Sequence, residues 1–296
     1  MNGSRKSLQP PDFVKRVRNI IDTVVENVSR SFGCTVALDT LLPGRMLRTA
    51  FASRLLECGG LTVETERLAS ACAATELVHT ASLCHDDVID NGLIRRGIPT
   101  LWRTTTPSCS VLIGDVLLSE SLYLLLQTFE SRCVRHFVSK VREVCMTEIE
   151  QEIIWRGQQA DESVCMRIAR GKTGPLFGFV GYAAGGKEVR LSSSLEEAGY
   201  CIGTAYQLFD DLLDVTGTES IIGKTLRSDV RRGKVTMPQL TGNAAGIINS
   251  KILELCSSAL ECVQAWPEAQ KGIEEFFKLD LQPAFDRIQS GIQVVS

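Results

Sequence analysis

The sequence predicts an all-α protein, a single helical bundle packed around an apolar cavity. Apolar residues recur at helical spacing along most of the 296 residues, and strand signals are sparse. Hydrophobic residues make up 44% of the chain and charged residues 23%, which is the balance of a folded domain. We predict a flexible polar N-terminus over residues 1–12 and one helical domain over residues 13–296.

The predicted helices follow one another in order along the chain. The first is marked by Phe13, Val17, Ile21 and Val25, which recur at intervals of four on one face. The last contains Pro283, which should break or kink it. The predicted spans are 13–32, 46–57, 63–89, 111–128, 135–155, 162–184, 194–215, 246–265 and 268–292.

Two copies of the pattern Asp-Asp-x-x-Asp, at residues 86–90 and 210–214, are the most informative feature of the chain. In a helix the first and last aspartates of each copy share one face, and the middle one lies about 100° around from the first. An acidic run is usually a solvated helix end. Here the preceding residues are mostly apolar and the pattern occurs twice, which favours a functional site.

Facing helices would bring these carboxylates into one space, where they repel one another unless cations neutralise them. Ligand sets made only of oxygen suit Mg²⁺ better than zinc. The pattern therefore predicts a Mg²⁺ site for a polyphosphate. The candidate metal ligands are Asp86, Asp87, Asp90, Asp210, Asp211 and Asp214.

Basic residues accompany the acidic motifs. Asn91-Gly92 should end the first acidic helix, and Arg95 and Arg96 follow directly. They are either surface ion pairs or phosphate ligands, since the arginine fork binds phosphate through two hydrogen bonds. The other basic candidates are Arg45, Arg48, Lys172, Lys224 and Lys234.

Composition excludes several classes of protein. A net charge of −3 gives no general attraction to nucleic acid, so we expect no nucleic-acid partner. Eleven cysteines are scattered without a Cys-x-x-Cys pair, which favours reduced thiols in the cytoplasm. The apolar stretch 110–126 is interrupted by Gly114, Asp115 and Glu120, so no membrane span is expected.

Small side chains precede the first acidic motif. Stepping back by four from Asp86 gives Ser82, Val78, Ala74 and Ser70, a face that would extend roughly 24 Å along the helix. Such residues either allow close helix packing or form a groove for a long apolar tail.

These motifs resemble those of the trans-type polyprenyl diphosphate synthase family, whose fold is an isoprenoid-synthase helical bundle. Residues 83–100 resemble the first aspartate-rich motif with its trailing Arg-Arg-Gly, and residues 206–214 resemble the second. Weaker signatures occur in the expected order at residues 43–48, 111–115, 171–177, 223–224 and 233–238.

The resemblance implies a trans-prenyltransferase that condenses an allylic prenyl diphosphate with isopentenyl diphosphate. Asp86, Asp87, Asp90 and Asp210, with Asp211 and Asp214 directly or through water, would hold three Mg²⁺ ions around the allylic diphosphate. The catalytic residues would be the first four aspartates with Lys172 and Arg95. The family also implies a homodimer.

The resemblance also divides the other side chains between the two substrates. The protein ligands of the allylic diphosphate would be Arg95, Lys172, Thr173, Gln207, Lys224 and Lys234. Isopentenyl diphosphate would be bound by Arg45, Arg48, His79 and Arg96. From the sequence alone, His79 is equally consistent with a core histidine.

Product length in the family is limited by a bulky residue four or five positions before the first aspartate. Ala81 and Ser82 occupy those positions here, which implies a product beyond C15.

Three features depart from the family pattern. Arg45 and Met46 replace the usual lysine and arginine of the isopentenyl diphosphate site, and the family's Glu-Gly-Glu region reads Glu-Ile-Glu-Gln-Glu at 148–152. The region after Pro238 looks shortened by about two helices. Two alternatives therefore stay open, a class I terpene synthase or prenyltransferase with a different acceptor, and a non-catalytic subunit of a heteromeric synthase.

Overall fold

The computed structural model of the chain describes residues 10–32, 41, 44–59, 61–216, 233–239, 244–283 and 285. The described residues form α1 (Pro10–Phe32), α2 (Leu47–Cys58), α3 (Thr65–Ile89), β1 (Ile94–Arg95), β2 (Ile98–Pro99), α4 (Leu101–Thr104), α5 (Pro107–Thr128), α6 (Ser131–Glu150), α7 (Glu162–Gly185), α8 (Val189–Thr216), α9 (Ala244–Cys262) and α10 (Pro267–Phe276). Two π-helical turns, Gln151–Trp155 and Phe277–Leu281, extend α6 and α10, and a 3-10 turn covers Met237–Gln239.

The predicted all-α class is confirmed, and most predicted helices match to within a few residues. Helix α1 begins at Pro10, three residues before the predicted start at Phe13, and residues 1–9 of the predicted flexible N-terminus lie outside the described part of the chain. Proline is well tolerated in the first turn of a helix, where its missing N–H costs no hydrogen bond. The predicted helix 268–292 is present as α10 and a π-helical turn, with helical residues continuing to 283 and at 285, and residues 286–292 lie outside the described part of the chain.

Local sequence signals fix several helix ends. The Thr106 side chain caps α5 by accepting a hydrogen bond from the Cys109 N–H at 3.1 Å, and the Asp161 carboxylate caps α7 by accepting from Val164 N–H at 2.9 Å. α3 stops where Asn91 takes a left-handed conformation with φ 52°, as the Asn-Gly signal predicted.

Close packing of α7 against α8 forms the centre of the bundle. The two helices approach closely where both carry glycines; a Cβ on Gly203 would lie 2.7 Å from the Cα of Gly174. α3 packs lengthwise on α5, and α9 packs on α8. A cluster of buried aromatic rings joins α2 to α10, with the Phe51 and Phe276 centroids 5.6 Å apart.

A short β-hairpin follows α3 and was not predicted. β1 pairs antiparallel with β2, with Arg95 opposite Ile98, and the turn residues Arg96 and Gly97 have φ values of 54° and 79°. Positive φ at both turn positions is typical of tight hairpins. The Thr100 hydroxyl and Trp102 indole N–H both donate to the Gly92 carbonyl at 2.8 Å, which fastens the hairpin to the end of α3.

Helix α5 is the one described helix that is long and apolar enough to cross a membrane, judged by length and composition. Its most apolar stretch has a mean hydropathy of 1.7, and a third of that stretch is buried, chiefly against α3. The sequence predicts no membrane span here, because Gly114, Asp115 and Glu120 interrupt the apolar stretch. A helix that packs against a protein core can have the same length and hydropathy as a membrane-spanning helix.

Candidate active site

One cavity of about 550 Å³ collects most of the predicted site residues. Its wall is formed by the start of α2, the C-terminal half of α3, the β-hairpin, α6, α7, α8 and the segment that follows residue 232. Both acidic motifs reach it, because α3 and α8 each end beside it. The aspartates in the wall are Asp86, Asp87, Asp90, Asp210 and Asp214.

The first acidic motif lies at the end of α3 beside the hairpin. Arg95 donates to Asp87 through both Nη2 and Nε, with Nη2 2.7 Å from Oδ1. Burial, together with the negative charge of Glu148, raises the pKa of Asp86 to about 6. Negative charge is thus concentrated at this end of the cavity.

The second acidic motif does not point all its carboxylates the same way. Asp210 and Asp214 line the cavity, whereas Asp211 is absent from its wall and accepts a hydrogen bond from Gln207 Nε2 at 2.8 Å. Gln207 in turn accepts from the Thr173 hydroxyl at 2.5 Å. Gln207 therefore connects Asp211 to the cavity wall, and the 100° offset within the motif predicts that Asp211 faces away from Asp210.

Two lysines lie on the acidic side of the cavity. Lys172 Nζ donates to Gln151 at 2.9 Å and lies 3.1 Å from Glu148 Oε1. Lys234 Nζ lies 3.0 Å from Asp90 Oδ1. The remaining predicted lysine, Lys224, lies outside the described residues.

The basic residues predicted to bind the second diphosphate lie together in the same cavity wall: Arg45, Arg48, His79 and Arg96. Gly44 makes room for them, since a Cβ there would lie 2.6 Å from Cζ of Arg96. Burial, and the positive charges of Arg48, Arg96 and Arg95, hold the pKa of His79 well below its usual range. His79 is therefore neutral near pH 7 before any anion binds.

Sequence reasoning missed Glu76, which is buried and lines the cavity. Its carboxylate lies 3.5 Å from Arg48 Nη1 and accepts a hydrogen bond from the Thr49 hydroxyl at 3.3 Å. The Arg48 guanidinium also stacks over the Phe177 ring at 5.3 Å. Spacing offered a signal, because Glu76 precedes His79 by three residues and so shares its face of α3.

The apolar end of the cavity is shorter than the predicted groove. Ser82 and Val78 line it, but Ala74 and Ser70 are buried elsewhere and do not. Steps of four residues drift about 40° per step around a helix of 3.6 residues per turn, so the deeper positions turn away. Ala81 is buried and does not line the cavity. Of the two residues expected to limit product length, Ala81 and Ser82, Ser82 is therefore the one that lines it.

The residues present suit a hard divalent cation, because the acidic side of the cavity offers carboxylate oxygens and no thiol or imidazole among the predicted ligands. Among the described residues, however, no three acidic, cysteine or histidine side chains converge closely enough to hold a metal ion. The carboxylates repel one another, and Asp87 and Asp90 pair with Arg95 and Lys234, which keeps the acidic side chains apart.

The helical bundle and its cavity define an isoprenoid-synthase type of fold, and solved structures agree. The geranyltransferase from Helicobacter pylori, complexed with magnesium and isoprenyl diphosphate, superposes with a TM-score of 0.76 at 20% identity, covering 95% of this chain and 99% of that one. Heptaprenyl diphosphate synthase from Staphylococcus aureus superposes with a TM-score of 0.74 at 22% identity, covering 92% and 99% of the two chains.

The chain belongs to the polyprenyl synthetase family, whose model matches residues 34–271. Heptaprenyl diphosphate synthase component 2 of Bacillus subtilis is 31% identical over 228 residues, which cover 73% of this chain and 65% of the relative. Its counterpart from Geobacillus stearothermophilus is 34% identical over 67% of this chain and 62% of the relative. The matches thus span somewhat less than two thirds of these relatives' lengths.

Proposed function

We propose that the protein is a Mg²⁺-dependent trans-prenyltransferase that elongates an allylic prenyl diphosphate with isopentenyl diphosphate. The allylic C–O bond breaks, which releases diphosphate and leaves an allylic carbocation. The alkene of isopentenyl diphosphate attacks this carbocation and forms a new C–C bond. The cation that results then loses a proton to the released diphosphate. The product is a prenyl diphosphate one isoprene unit longer.

The observation that supports this proposal most strongly is that one cavity is lined by aspartates of both acidic motifs and by two groups of basic residues. Lys172, Lys234 and Arg95 lie with the aspartates, where they would bind the leaving diphosphate and stabilise the charge that develops on it. Arg45, Arg96 and His79 form the second group in the same wall, and they would bind the diphosphate of the second substrate.

The metal ligands in this proposal are Asp86, Asp87 and Asp90 from α3 and Asp210 and Asp214 from α8, with Asp211 acting indirectly through Gln207. Bound Mg²⁺, for which we propose three ions, supplies positive charge that stabilises the departing diphosphate. The chain's own contribution is to hold the substrate anions with arginine and lysine side chains and to shield the carbocation from water with apolar side chains such as Leu176, Phe177 and Phe209.

The second basic group favours elongation over a terpene synthase, which needs only one diphosphate site. Met46, the departure from the family pattern, lines the cavity in a left-handed conformation with φ 50° and contributes no charge. Three basic side chains and a neutral imidazole nevertheless remain on this wall. We propose a product beyond C15, since the α3 positions four and eight residues before Asp86 that line the cavity are Ser82 and Val78, neither of which is aromatic.

The test is incubation of the purified protein with Mg²⁺, labelled isopentenyl diphosphate and, separately, C5, C10, C15 and C20 allylic diphosphates. We expect longer prenyl diphosphates that are absent when the metal is chelated. Consumption of the allylic substrate to hydrocarbon or alcohol, without incorporation of label, would instead indicate a terpene synthase. No consumption would favour a subunit that requires a partner, as the name of the relatives described as component 2 suggests for those proteins.

We also propose a homodimer that buries an apolar face of α5 and α6. Leu112, Tyr123 and Leu126 project from one face of α5 with exposed fractions of 63%, 60% and 63%. Val138 and Ile149 are exposed on the neighbouring helix α6. Exposed apolar side chains grouped on one helix face are typical of a protein interface.

Sedimentation or light scattering would test the dimer. We expect twice the 32.5 kDa chain mass for the wild type, and a monomer for the double variant Leu112→Glu/Leu126→Glu. Leu253→Glu is the matched control, because Leu253 is 70% exposed on α9, away from this face. A wild-type monomer, or a dimer that the double variant leaves intact, would contradict the assignment.

The ten cysteines among the described residues are free thiols, as predicted. Burial raises the pKa of Cys84 to about 12 and that of Cys165 to about 11, so these thiols are unreactive. Free thiols are typical of proteins in the reducing cytoplasm, which is the location we propose.

A further inference from the structure

Gln151 begins the π-helical turn that follows α6, and its side chain is buried with an exposed fraction of 2%. It does not line the cavity. Both ends of its amide are used, because Nε2 donates to the Val235 carbonyl at 2.9 Å and Oε1 accepts from Lys172 Nζ at 2.9 Å.

These two contacts join parts of the chain that are far apart in sequence. Lys172 lies on α7 and reaches the acidic side of the cavity. Val235 follows Lys234, the residue that contacts Asp90 from the segment 233–236. A single buried amide therefore connects the two lysines to which we assign the leaving diphosphate.

The segment with Lys234 is buried, with exposed fractions of 6% at Lys234, 5% at Val235 and 4% at Thr236. It lies before the 3-10 turn Met237–Gln239 and has no regular hydrogen-bonding pattern of its own. A second contact from the same region supports it, because the Gly157 N–H donates to the Gly233 carbonyl at 2.8 Å. The π-helical turn Gln151–Trp155 thus supplies one contact and Gly157, two residues after it, supplies the other. Such turns occur frequently at functional sites.

We propose that Gln151 is a positioning residue that fixes Lys172 and Lys234 toward one diphosphate, an inference that rests on the proposed function. Glutamine suits this task because one side chain provides both a donor and an acceptor. Glutamate keeps the acceptor for Lys172 but lacks the donor for Val235. Methionine has a similar size and provides neither.

The experiment compares Gln151→Met, Gln151→Glu and the control Gln158→Met, an exposed glutamine seven residues further along. We expect Gln151→Met to lower kcat/KM for the allylic diphosphate by about tenfold to a hundredfold, the cost of misplacing groups at the reacting centre. In the Lys172→Ala background the same change should cost less than in the wild type, because only the contact that supports Lys234 through Val235 is then left to lose. Gln151→Glu should recover much of the activity.

Hydrogen exchange of residues 233–236 gives a readout that does not depend on turnover. Both Gln151 variants should exchange faster there than the wild type, and Gln158→Met should not. Unchanged exchange, activity of Gln151→Met within twofold of the wild type, or an undiminished loss in the Lys172→Ala background would overturn the proposal.

Failure of the proposed function would be recognised separately, because the wild type would then elongate no substrate. Binding of inorganic diphosphate with Mg²⁺, measured by calorimetry, would still decide the role of Gln151. Weaker binding by Gln151→Met than by Gln158→Met would support it. Equal affinity, or no binding by the wild type, would overturn it.

Discussion

Arg95 and Asp87 form a bidentate ion pair in which Nη2 lies 2.7 Å from Oδ1 and Nε lies 3.0 and 3.1 Å from the two carboxylate oxygens. A residue assigned to the substrate thus contacts a residue assigned to the metal. The pair also joins the hairpin to the end of α3. Binding of a diphosphate and its cation would exchange this contact for two new ones, so the pair keeps both groups in place beforehand.

Replacement of Arg95 should show how much the planar guanidinium, with its two hydrogen bonds, contributes to catalysis. We expect Arg95→Gln to lower kcat/KM for the allylic diphosphate by about a hundredfold or more, because a charge on the leaving group is lost. Arg95→Lys should cost about tenfold, since it keeps the charge without the bidentate contact. Steady-state kinetics would measure both, with Arg103→Gln as an exposed arginine control close to the hairpin. Equal rates for Arg95→Gln and the control would refute the assignment.

The two adjacent aspartates of the second motif should differ in their effects. Asp210 lines the cavity and Asp211 does not, so we expect Asp210→Ala to abolish Mg²⁺-dependent turnover, as should Asp86→Ala in the first motif. Asp211→Asn keeps the size of the side chain and an acceptor for Gln207, and should retain at least about a tenth of the activity. Circular dichroism would confirm that all three variants are folded. Retained activity in Asp210→Ala would contradict the assignment of Asp210 as a metal ligand.

The helical spacing of apolar residues was sufficient to predict the fold class and most helix bounds, because long amphipathic helices repeat their signal over several turns. The hairpin at Ile94–Pro99 was missed, since strands of two residues carry almost no pattern. Gln151 was visible in sequence only as a departure from a family motif. Its role depends on contacts with Lys172 and Val235, which are 21 and 84 residues away.

The site was predicted best where a motif lies within one helix. Asp86, Asp87 and Asp90 all line the cavity, whereas the predicted groove does not continue beyond Val78, because steps of four residues accumulate an angular error. Glu76 was overlooked because the sequence does not show that it would be buried beside Arg48, which lies on another helix.

A bulky residue at position 82 should shorten the product. Ser82 lines the cavity below Asp86, so we expect Ser82→Phe to shorten the prenyl chain by at least one C5 unit. Ala81 is buried in the core, and its carbonyl lies close to Gly114 of α5. Ala81→Phe should therefore destabilise the fold by about 1–3 kcal/mol through overpacking rather than act on length alone. Chromatography of dephosphorylated products and thermal melts would separate the two effects; unchanged products from Ser82→Phe would place the prenyl tail elsewhere.

Stability should depend on the protonation of His79. Burial and the nearby charges of Arg48, Arg96 and Arg95 hold its pKa well below the ordinary value of 6.5. Below about pH 6.5 the unfolded chain therefore takes up a proton that the folded chain refuses, and the folded state loses stability as the pH falls. The loss is at most about 1.36 kcal/mol per pH unit for one group.

Urea unfolding of the wild type and of His79→Gln between pH 8 and 5 would measure this effect. Above about pH 7.5 we expect a constant difference between the free energies of unfolding of the wild type and His79→Gln. Below about pH 6.5 the wild type should lose stability relative to His79→Gln, because glutamine does not titrate. Added inorganic diphosphate should reduce the shift, since an anion beside the imidazole favours its charged form. A difference independent of pH would show that His79 is not held neutral, and a shift unaffected by diphosphate would separate His79 from the second substrate site.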